Sequence, residues 1–416
     1  VNRTTRILIG VKALRSVGQG AMVVDFALYL RDLHWSAVDI SLILSAALVL
    51  GSALTLIFGP LSDRLGRRHF LIGYEILTAL VALVACCTAA SWWLAPAAII
   101  GGFGRGGNGA AGPFAPVERA WMGQGVGPED RGRTYSLNEA SGFAGMAAGA
   151  AIAALPSLLQ GVLPGPLAFR PLFALVALMS VLCVALLALA EDREAPGLLR
   201  EARAAAEAAS DAARSAGEDR TAAAVGEAVI RRRENGLILR LMLANALNGA
   251  GIGLTGPLMS YWFAVRFGQG PEAIGPLMAV GFLLASGGSV AAGWLSAWLG
   301  VVRSVVVLRL VGLGLFVALP FAPGFGVAAV LFTLRTLCNR STTGARSALS
   351  VTIVRQKRRG LSASLTNVAM QIPRAIGPVF AGALFELGFL GLPFLIGAAF
   401  QGAYIYVYQR SFADVA

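Results

Sequence analysis

The sequence predicts an all-α membrane protein with twelve transmembrane helices in two pseudo-symmetric six-helix bundles. Three observations carry this reading: the composition, the recurrence of bilayer-length apolar runs, and a second half that repeats marks of the first. Hydrophobic residues fill 56% of the 416 positions and charged residues 13%, too apolar a balance for a water-exposed globule, so lipid surrounds most of the chain.

A bilayer core of ~30 Å takes about 20 apolar residues per helical span. Such runs fall at 8–31, 37–61, 69–91, 95–121, 134–157 and 168–190, then at 237–265, 271–299, 303–322, 326–353, 361–386 and 388–408. The expected organisation is an amino-terminal bundle over 1–190, a linker over 191–235 and a carboxy-terminal bundle over 236–416. The linker is rich in Ala, Glu, Asp and Arg, a composition that favours a solvated helix. Val1 to Lys12 leads directly into a long apolar helix without a small-residue cleavage site, so that span is expected to stay in the mature chain.

The net charge of +12 does not point to nucleic acid, because the Lys and Arg residues lie mostly in short breaks between apolar runs. With the amino terminus inside, Arg64, Arg67, Arg68, Arg131, Arg133, Arg303, Arg355, Lys357, Arg358 and Arg359 fall in cytoplasmic loops. Only Arg31, Arg170 and Arg266 remain for the outer loops. That asymmetry predicts a multi-pass protein of the plasma (inner) membrane with both termini cytoplasmic. Cys86, Cys87, Cys183 and Cys338 sit inside apolar runs without metal-type spacing to His34 or His69, and read as packing residues. Trp92, Trp93 and Trp121 read as interfacial anchors.

The halves share a pattern. Gly59, Leu61, Ser62 and Gly66 recur as Gly293, Leu295, Ser296 and Gly300, and near the same separation Tyr29 recurs as Tyr261 and Arg105 as Arg335. Parallel six-helix repeats are therefore expected.

The segment Gly59-Pro60-Leu61-Ser62-Asp63-Arg64-Leu65-Gly66-Arg67-Arg68 resembles the signature loop of the major facilitator superfamily between its second and third helices. Physically, a tight glycine turn lets two helices meet while an acid and several bases sit at the membrane face. A merely topogenic basic loop is the plainer alternative. The resemblance implies secondary transport by alternating access, with helices one, four, seven and ten lining a central cavity. It also implies a conformational latch of Gly59, Asp63, Arg64, Gly66 and Arg67, in which Asp63 meets the positive start of the eleventh helix near Leu361. The second-half copy carries Ala297 in place of the acid and only Arg303 of the bases, so the latch is expected to be one-sided.

In the fourth span, Arg105, Asn108, Gly109, Ala110 and Ala111 resemble a motif of many proton-coupled members of that family. An arginine deep in a span is costly unless it faces a cavity or a partner. Asp25, at similar depth in the first span, can pair with it or titrate. Asp25 is the first candidate to carry a coupling proton, followed by Glu139, with Glu118 also in the set. Towards the inner side, Arg15 and Arg119 lie at depths comparable with Glu118 and Glu139, so this half can balance its own charges.

The second half cannot. Arg335, Arg340, Arg346 and Arg374 lie within or near spans that offer no acid except Glu386 at an outer end. Arg335, Asn339, Thr342 and Arg346 share one face of the tenth helix, and Asn367, Gln371, Arg374 and Pro378 one face of the eleventh. Such stripes serve either as glue between helices or as the wall of a cationic cavity. The substrate-binding candidates are Arg335, first among them, with Asn339, Arg105, Asn108, Arg374 and Gln371; Arg346, near the cytoplasmic end, reads as a snorkelling base. Gly142, Gly145 and Gly149 in the fifth span and Gly377, Pro378 and Gly382 in the eleventh allow close packing and bending. They loosely resemble the glycine-rich motif of antiporters in the family, without its proline in the fifth span.

No phosphate-binding loop ending in Lys-Ser or Lys-Thr occurs, nor any nucleophile or metal-ligand constellation, which argues against an ATP-driven pump or an enzyme. No cofactor is expected, and the protein is expected to be a monomer. The expected partners are a small solute, a coupling proton and the bilayer. Proton-coupled efflux of a drug-like or metabolite solute, favoured by the fourth-helix motif, is the first reading, and movement of small organic or inorganic anions, favoured by the arginines, is the alternative. A transport-inactive receptor or scaffold is the reading of another class.

Overall fold

A computed structural model describes residues 2–105, 117–118, 121–122, 126, 131–190, 220–352 and 359–412. Those residues form helices and their connections, with no strand among them. Helix α1 spans Arg3–Asp32, α2 Ala37–Leu65, α3 Arg67–Cys87 and α4 Ser91–Gly101. Helix α5 spans Arg131–Ile152, prolonged by a short turn Leu155–Leu159, and α6 spans Arg170–Ala188. The second half contains α7 Arg220–Gly253, a short helix Met259–Phe267, α8 Pro271–Leu299, α9 Val301–Ala318, α10 Phe325–Thr352, α11 Arg359–Glu386 and α12 Leu392–Phe412. Among the described residues, eight helices are long and apolar enough to cross a membrane.

Local chemistry sets the ends. Asn2 caps α1 by accepting from the Thr5 amide at 2.8 Å, and Ser36 caps α2 by accepting from the Asp39 amide at 3.1 Å, each satisfying a donor that the first turn leaves open. Between α2 and α3 the chain turns on Gly66 alone, and between α8 and α9 on Gly300 alone, with φ of 85° and 79°. That left-handed backbone is open to glycine and strained for other residues, which explains why these two positions recur between the halves.

Two spans differ from the sequence expectation. The fourth, expected as one run over 95–121, stops at Gly101 and turns through Gly102, Phe103 and Gly104; two left-handed glycines in three residues cannot continue a helix. The seventh, expected over 237–265, begins at Arg220 and breaks after Gly253, with Pro257 in the break. Its first part therefore runs continuously out of the expected linker, whose positions 191–219 lie outside the described residues.

Within each half, the first and fifth helices meet through glycine. A side chain on Gly149 would strike the Val17 backbone of α1, and one on Gly253 would strike the Arg374 backbone of α11. Without a hydrophobic drive between spans in lipid, such close backbone contact is a principal source of attraction. The halves meet along α2 with α11 and α5 with α8. At the end away from the chain termini they are tied by the Val38 amide donating to Glu386 Oε2 at 3.2 Å and the Ser157 hydroxyl donating to Glu272 Oε2. Nearer the middle, the Ser260 hydroxyl donates to the Val23 carbonyl at 3.1 Å.

The outer surface carries Leu80, Leu83, Leu178, Val181, Leu310, Val311 and Phe380 as exposed side chains, the lipid-facing side of a membrane bundle. Trp92 and Trp93 are 73% and 54% exposed at the start of α4, where the amphipathic indole suits the interface. Trp121 departs from that expectation: at 4% exposure it packs with Leu8, Val11, Leu71 and Cys183 in the interior of the first half. Cys183 is buried there with its thiol donating to the Val11 carbonyl at 3.5 Å, while Cys87 is exposed rather than packed.

Candidate functional site

Among the described residues, three groups of membrane-embedded charges stand out, with Asp25 apart from them. The first lies inside the amino-terminal bundle. Arg15 of α1 donates through Nε to Glu75 Oε1 of α3 at 2.6 Å, and its Nη1 lies 2.7 Å from Glu118 Oε1. One turn earlier on α1, Lys12 Nζ donates to Glu139 Oε1 of α5 at 2.8 Å. Among the described residues two bases here meet three acids, so the full balance expected for this half is not seen; Arg119, the other base expected to share in it, lies outside the described residues. The Arg15–Glu118 approach was anticipated by depth, whereas Glu75 and Lys12 were not singled out. Glu75 had a signal: it is a lone acid in the middle of an apolar run, which by itself marks a residue that needs a partner.

Beside Arg15 lies a cavity of about 30 Å³ lined by Gln19, Thr78, Gly102, Arg105 and Ser180 among others. Arg105 closes its far side. Its Nη1 donates to the Ala47 carbonyl of α2 at 3.0 Å and its Nε to the Gly102 carbonyl at 3.3 Å. A side chain at Gly102 would overlap the guanidinium itself, so the glycine that ends α4 also makes room for the arginine.

The possible Asp25–Arg105 pair is not formed. The turn at Gly102–Gly104 swings Arg105 towards α2, while Asp25 lines a crevice with Met22, Phe26, Tyr29, Phe169, Leu172 and Phe173. Asp25 is 1% exposed and neither of its carboxylate oxygens has a hydrogen-bond partner among the described residues.

The second group lies where the halves meet. Arg374 of α11 donates through Nη2 to the Arg105 carbonyl at 3.4 Å and through Nη1 to Gln371 at 3.5 Å. Arg340 of α10 reaches across to α5: its guanidinium carbon is 5.0 Å from the Phe143 ring centroid and 5.3 Å from that of Phe282. Among the described residues, Arg374 and Glu139 are charged neighbours of Arg340.

The third group is internal to the carboxy-terminal bundle. The polar face of α10 turns into this bundle. The Arg335 guanidinium stacks on Phe316 of α9 at 3.7 Å. Arg309 of α9, a lone cation in an apolar run that sequence reasoning passed over, donates to Thr342 at 3.1 Å, Asn248 at 3.1 Å and Gln401 at 3.4 Å. Arg346 donates to Asn245 at 2.9 Å, and Tyr404 lies 5.3 Å from both Arg309 and Arg346. Neutral dipoles and aromatic faces thus do for these arginines what acids do in the first half. Asn339 faces Gly312 of α9.

The remaining candidates are placed less fully. Asn108 lies outside the described residues. Gly59, Asp63 and Arg64 occupy the last turns of α2, and their side chains also lie outside, as does that of Leu361. Arg67 begins α3 directly after Gly66, and its neighbour Arg68 donates to the Ala188 carbonyl at the end of α6 at 2.6 Å.

The family model described as Major Facilitator Superfamily matches residues 9–234, more than half of the chain. The chain belongs to the major facilitator superfamily. As a member it is a multi-pass secondary transporter that binds a small-molecule substrate in a membrane, and not an enzyme. Solved structures agree in fold. A D-xylose–proton symporter is 14% identical, with a TM-score of 0.71 over 97% of this chain and 96% of that one. A mutant of the nucleoside transporter NupG is 11% identical, with a TM-score of 0.72 over 99% and 100%. A bacterial homolog of the human lysosomal transporter Spinster, inward-facing and unoccupied, is 16% identical with a TM-score of 0.64 over 99% and 93%. No curated protein sequence matches.

Proposed function

We propose that this superfamily member carries a small organic or inorganic anion through the seam between its halves, coupled to a proton. The observation behind the reading is the placement of Arg340 and Arg374: both belong to the carboxy-terminal half, and both reach the amino-terminal half, at Phe143 and at the Arg105 carbonyl. Guanidinium groups that one half extends to the other suit a negative solute held where the halves meet, because they offer fixed, charge-assisted donors. Asp25 is the proposed proton carrier, an acid in an apolar crevice whose charged form has no local partner.

Efflux of a drug-like or metabolite solute is the second reading. It is favoured by the Phe143 and Phe282 rings beside Arg340, which give an apolar molecule a flat surface. A twelve-span inner-membrane topology with both termini cytoplasmic completes the proposal and rests on the loop charges.

The deciding experiment is a thermal-shift screen of the purified protein against oxyanions, organic acids and drug-like cations at two pH values. A ligand that binds the folded state raises its apparent stability by mass action. Stabilisation by anions alone, followed by flux of the same anion in proteoliposomes, supports the first reading. Stabilisation by neutral or cationic compounds alone transfers the case to efflux, and binding without flux points to a transport-inactive receptor.

A further inference from the structure

We propose that the Glu75–Arg15–Glu118 triad is a proton-binding site, in which two buried carboxylates share one guanidinium and a single proton. The inference starts from charge. Glu75 is 0% exposed, Arg15 and Glu118 are both buried, and the three come from α1, α3 and the stretch beyond α4. With both acids ionised, the triad carries one uncompensated negative charge in the interior of a membrane protein. Such a charge is far more costly than the same group neutralised.

Among the described residues no further cation is paired with either acid of the triad. Lys12, on the same face of α1, is held by Glu139 of α5, so this neighbouring pair is neutral. From α6 come Ser180, beside Glu75, and the Cys183 thiol. Tyr74 of α3 directs its hydroxyl to the Ile100 carbonyl at 3.4 Å. Arg105, across the cavity, is engaged with two carbonyls; among the described residues the charged neighbours of Glu75 are Arg15 and Glu118, with the Ser180 hydroxyl also against it. Arg119 lies outside the described residues.

Geometry independently marks where the proton goes. Glu75 Oε2 is buried without a partner. The Glu118 contact is close in distance but off the hydrogen-bonding direction. Each carboxyl therefore keeps an oxygen on which a proton relieves a deficit, unlike a two-to-one cluster whose lone pairs are all satisfied. The cavity of about 30 Å³ that Arg15 and Arg105 both line has room for about two waters beside the triad's guanidinium. The site is separate from the crevice of Asp25 and from the arginines at the seam, so it does not depend on what the solute is. Protonation adds one H⁺ to a carboxylate and no other bond changes.

The test uses the full chain in lipid nanodiscs, labelled with ¹³C at the glutamate side-chain carboxyl, and infrared difference spectra between neutral and alkaline pH. The label separates protonated glutamate from Asp25. Wild-type protein is expected to show a ¹³C-shifted band of a protonated carboxyl at neutral pH. Glu75→Gln and Glu118→Gln, each leaving one acid for one guanidinium, are each expected to remove one carboxyl's worth of that band, with thermal stability at neutral pH held or raised. A wild-type spectrum with no protonated glutamate at neutral pH overturns the proposal, whether or not the variants fold. A band that keeps its intensity in both folded variants overturns it as well, by placing the proton on another glutamate.

Discussion

Glu75 and Arg309 occupy the same place in the third helix of their respective halves, equally far beyond Gly66 and Gly300, and carry opposite charges. In the first half the acid meets Arg15 of α1 at 2.6 Å; in the second, the base meets Asn248 of α7 at 3.1 Å. One ancestral-looking position therefore serves two electrostatic designs. An ion pair with a surplus acid can exchange a proton, whereas an arginine solvated by neutral dipoles cannot. The proposed proton site therefore belongs to the amino-terminal bundle, and the equivalent position of the other bundle does not repeat it.

The same contrast predicts unequal responses to mutation. Arg15→Met leaves two buried carboxylates facing each other and should destabilise the protein by about 3–5 kcal/mol, the range for breaking a buried pair by removing one partner. Arg309→Met leaves only neutral groups behind and should cost less. Thermal melts of both variants in one detergent check the order; equal losses would show that the acids of the first half are already compensated elsewhere.

Gly102→Ala tests the break in α4. A left-handed φ costs an L-residue about 1–2 kcal/mol, and the added methyl would also overlap the Arg105 guanidinium. The variant should melt lower than wild type, and accessibility labelling of a cysteine at Thr78, on the wall of the same cavity, should change. An unchanged melt together with unchanged labelling would mean that the turn relaxes freely.

Much of the fold was legible because span length and loop charge are set by the bilayer, and the Gly66–Gly300 repeat fixed equivalent turns. The breaks were harder to see. Apolar runs at 95–121 and 237–265 look continuous to hydropathy, which registers neither the pair of left-handed glycines at 102 and 104 nor the unwinding after Gly253. In the charge network, depth along a helix placed Arg15 with Glu118 but not azimuth, so Asp25 and Arg105 looked like neighbours while facing different helices. For Arg335 the polar stripe was real, but periodicity cannot say whether a stripe faces the seam or its own bundle.

If Asp63 forms the latch that the family resemblance implies, Asp63→Asn is expected to weaken closure of the end that holds the chain termini, because the contact proposed with the start of α11 loses its charge. The shift should be modest, about 1 kcal/mol. Paired spin labels across that face should report a larger long-distance population in the variant. Superimposable distance distributions would remove Asp63 from the latch.

Asp25→Asn should abolish proton-driven accumulation while leaving ligand binding and solute exchange intact, since the amide fills the same crevice but cannot exchange a proton. The comparison is made in proteoliposomes with and without an imposed pH gradient. Full gradient-driven uptake by the variant would pass the coupling role to the Glu75–Arg15–Glu118 triad or to Glu139.

The arginines offer the sharpest test of the substrate reading. Arg374 and Arg340 reach the opposite half, whereas Arg335 rests on Phe316 at 3.7 Å inside its own bundle. A solute moving along the seam can meet the first two without disturbing helix packing; reaching Arg335 requires separating it from an aromatic face. Arg374→Ala should therefore weaken binding of a stabilising anion at least tenfold, about 1.4 kcal/mol, and Arg374→Lys should recover only part of it because one ammonium cannot reproduce a planar fork of donors. Arg335→Ala should lower the melting temperature through lost stacking and change anion affinity less than Arg374→Ala does. Titrations of the three variants with the same anion decide the matter. A larger affinity loss at Arg335 than at Arg374 would move the solute into the carboxy-terminal bundle, and equal affinity in all variants would remove the arginines from substrate recognition altogether.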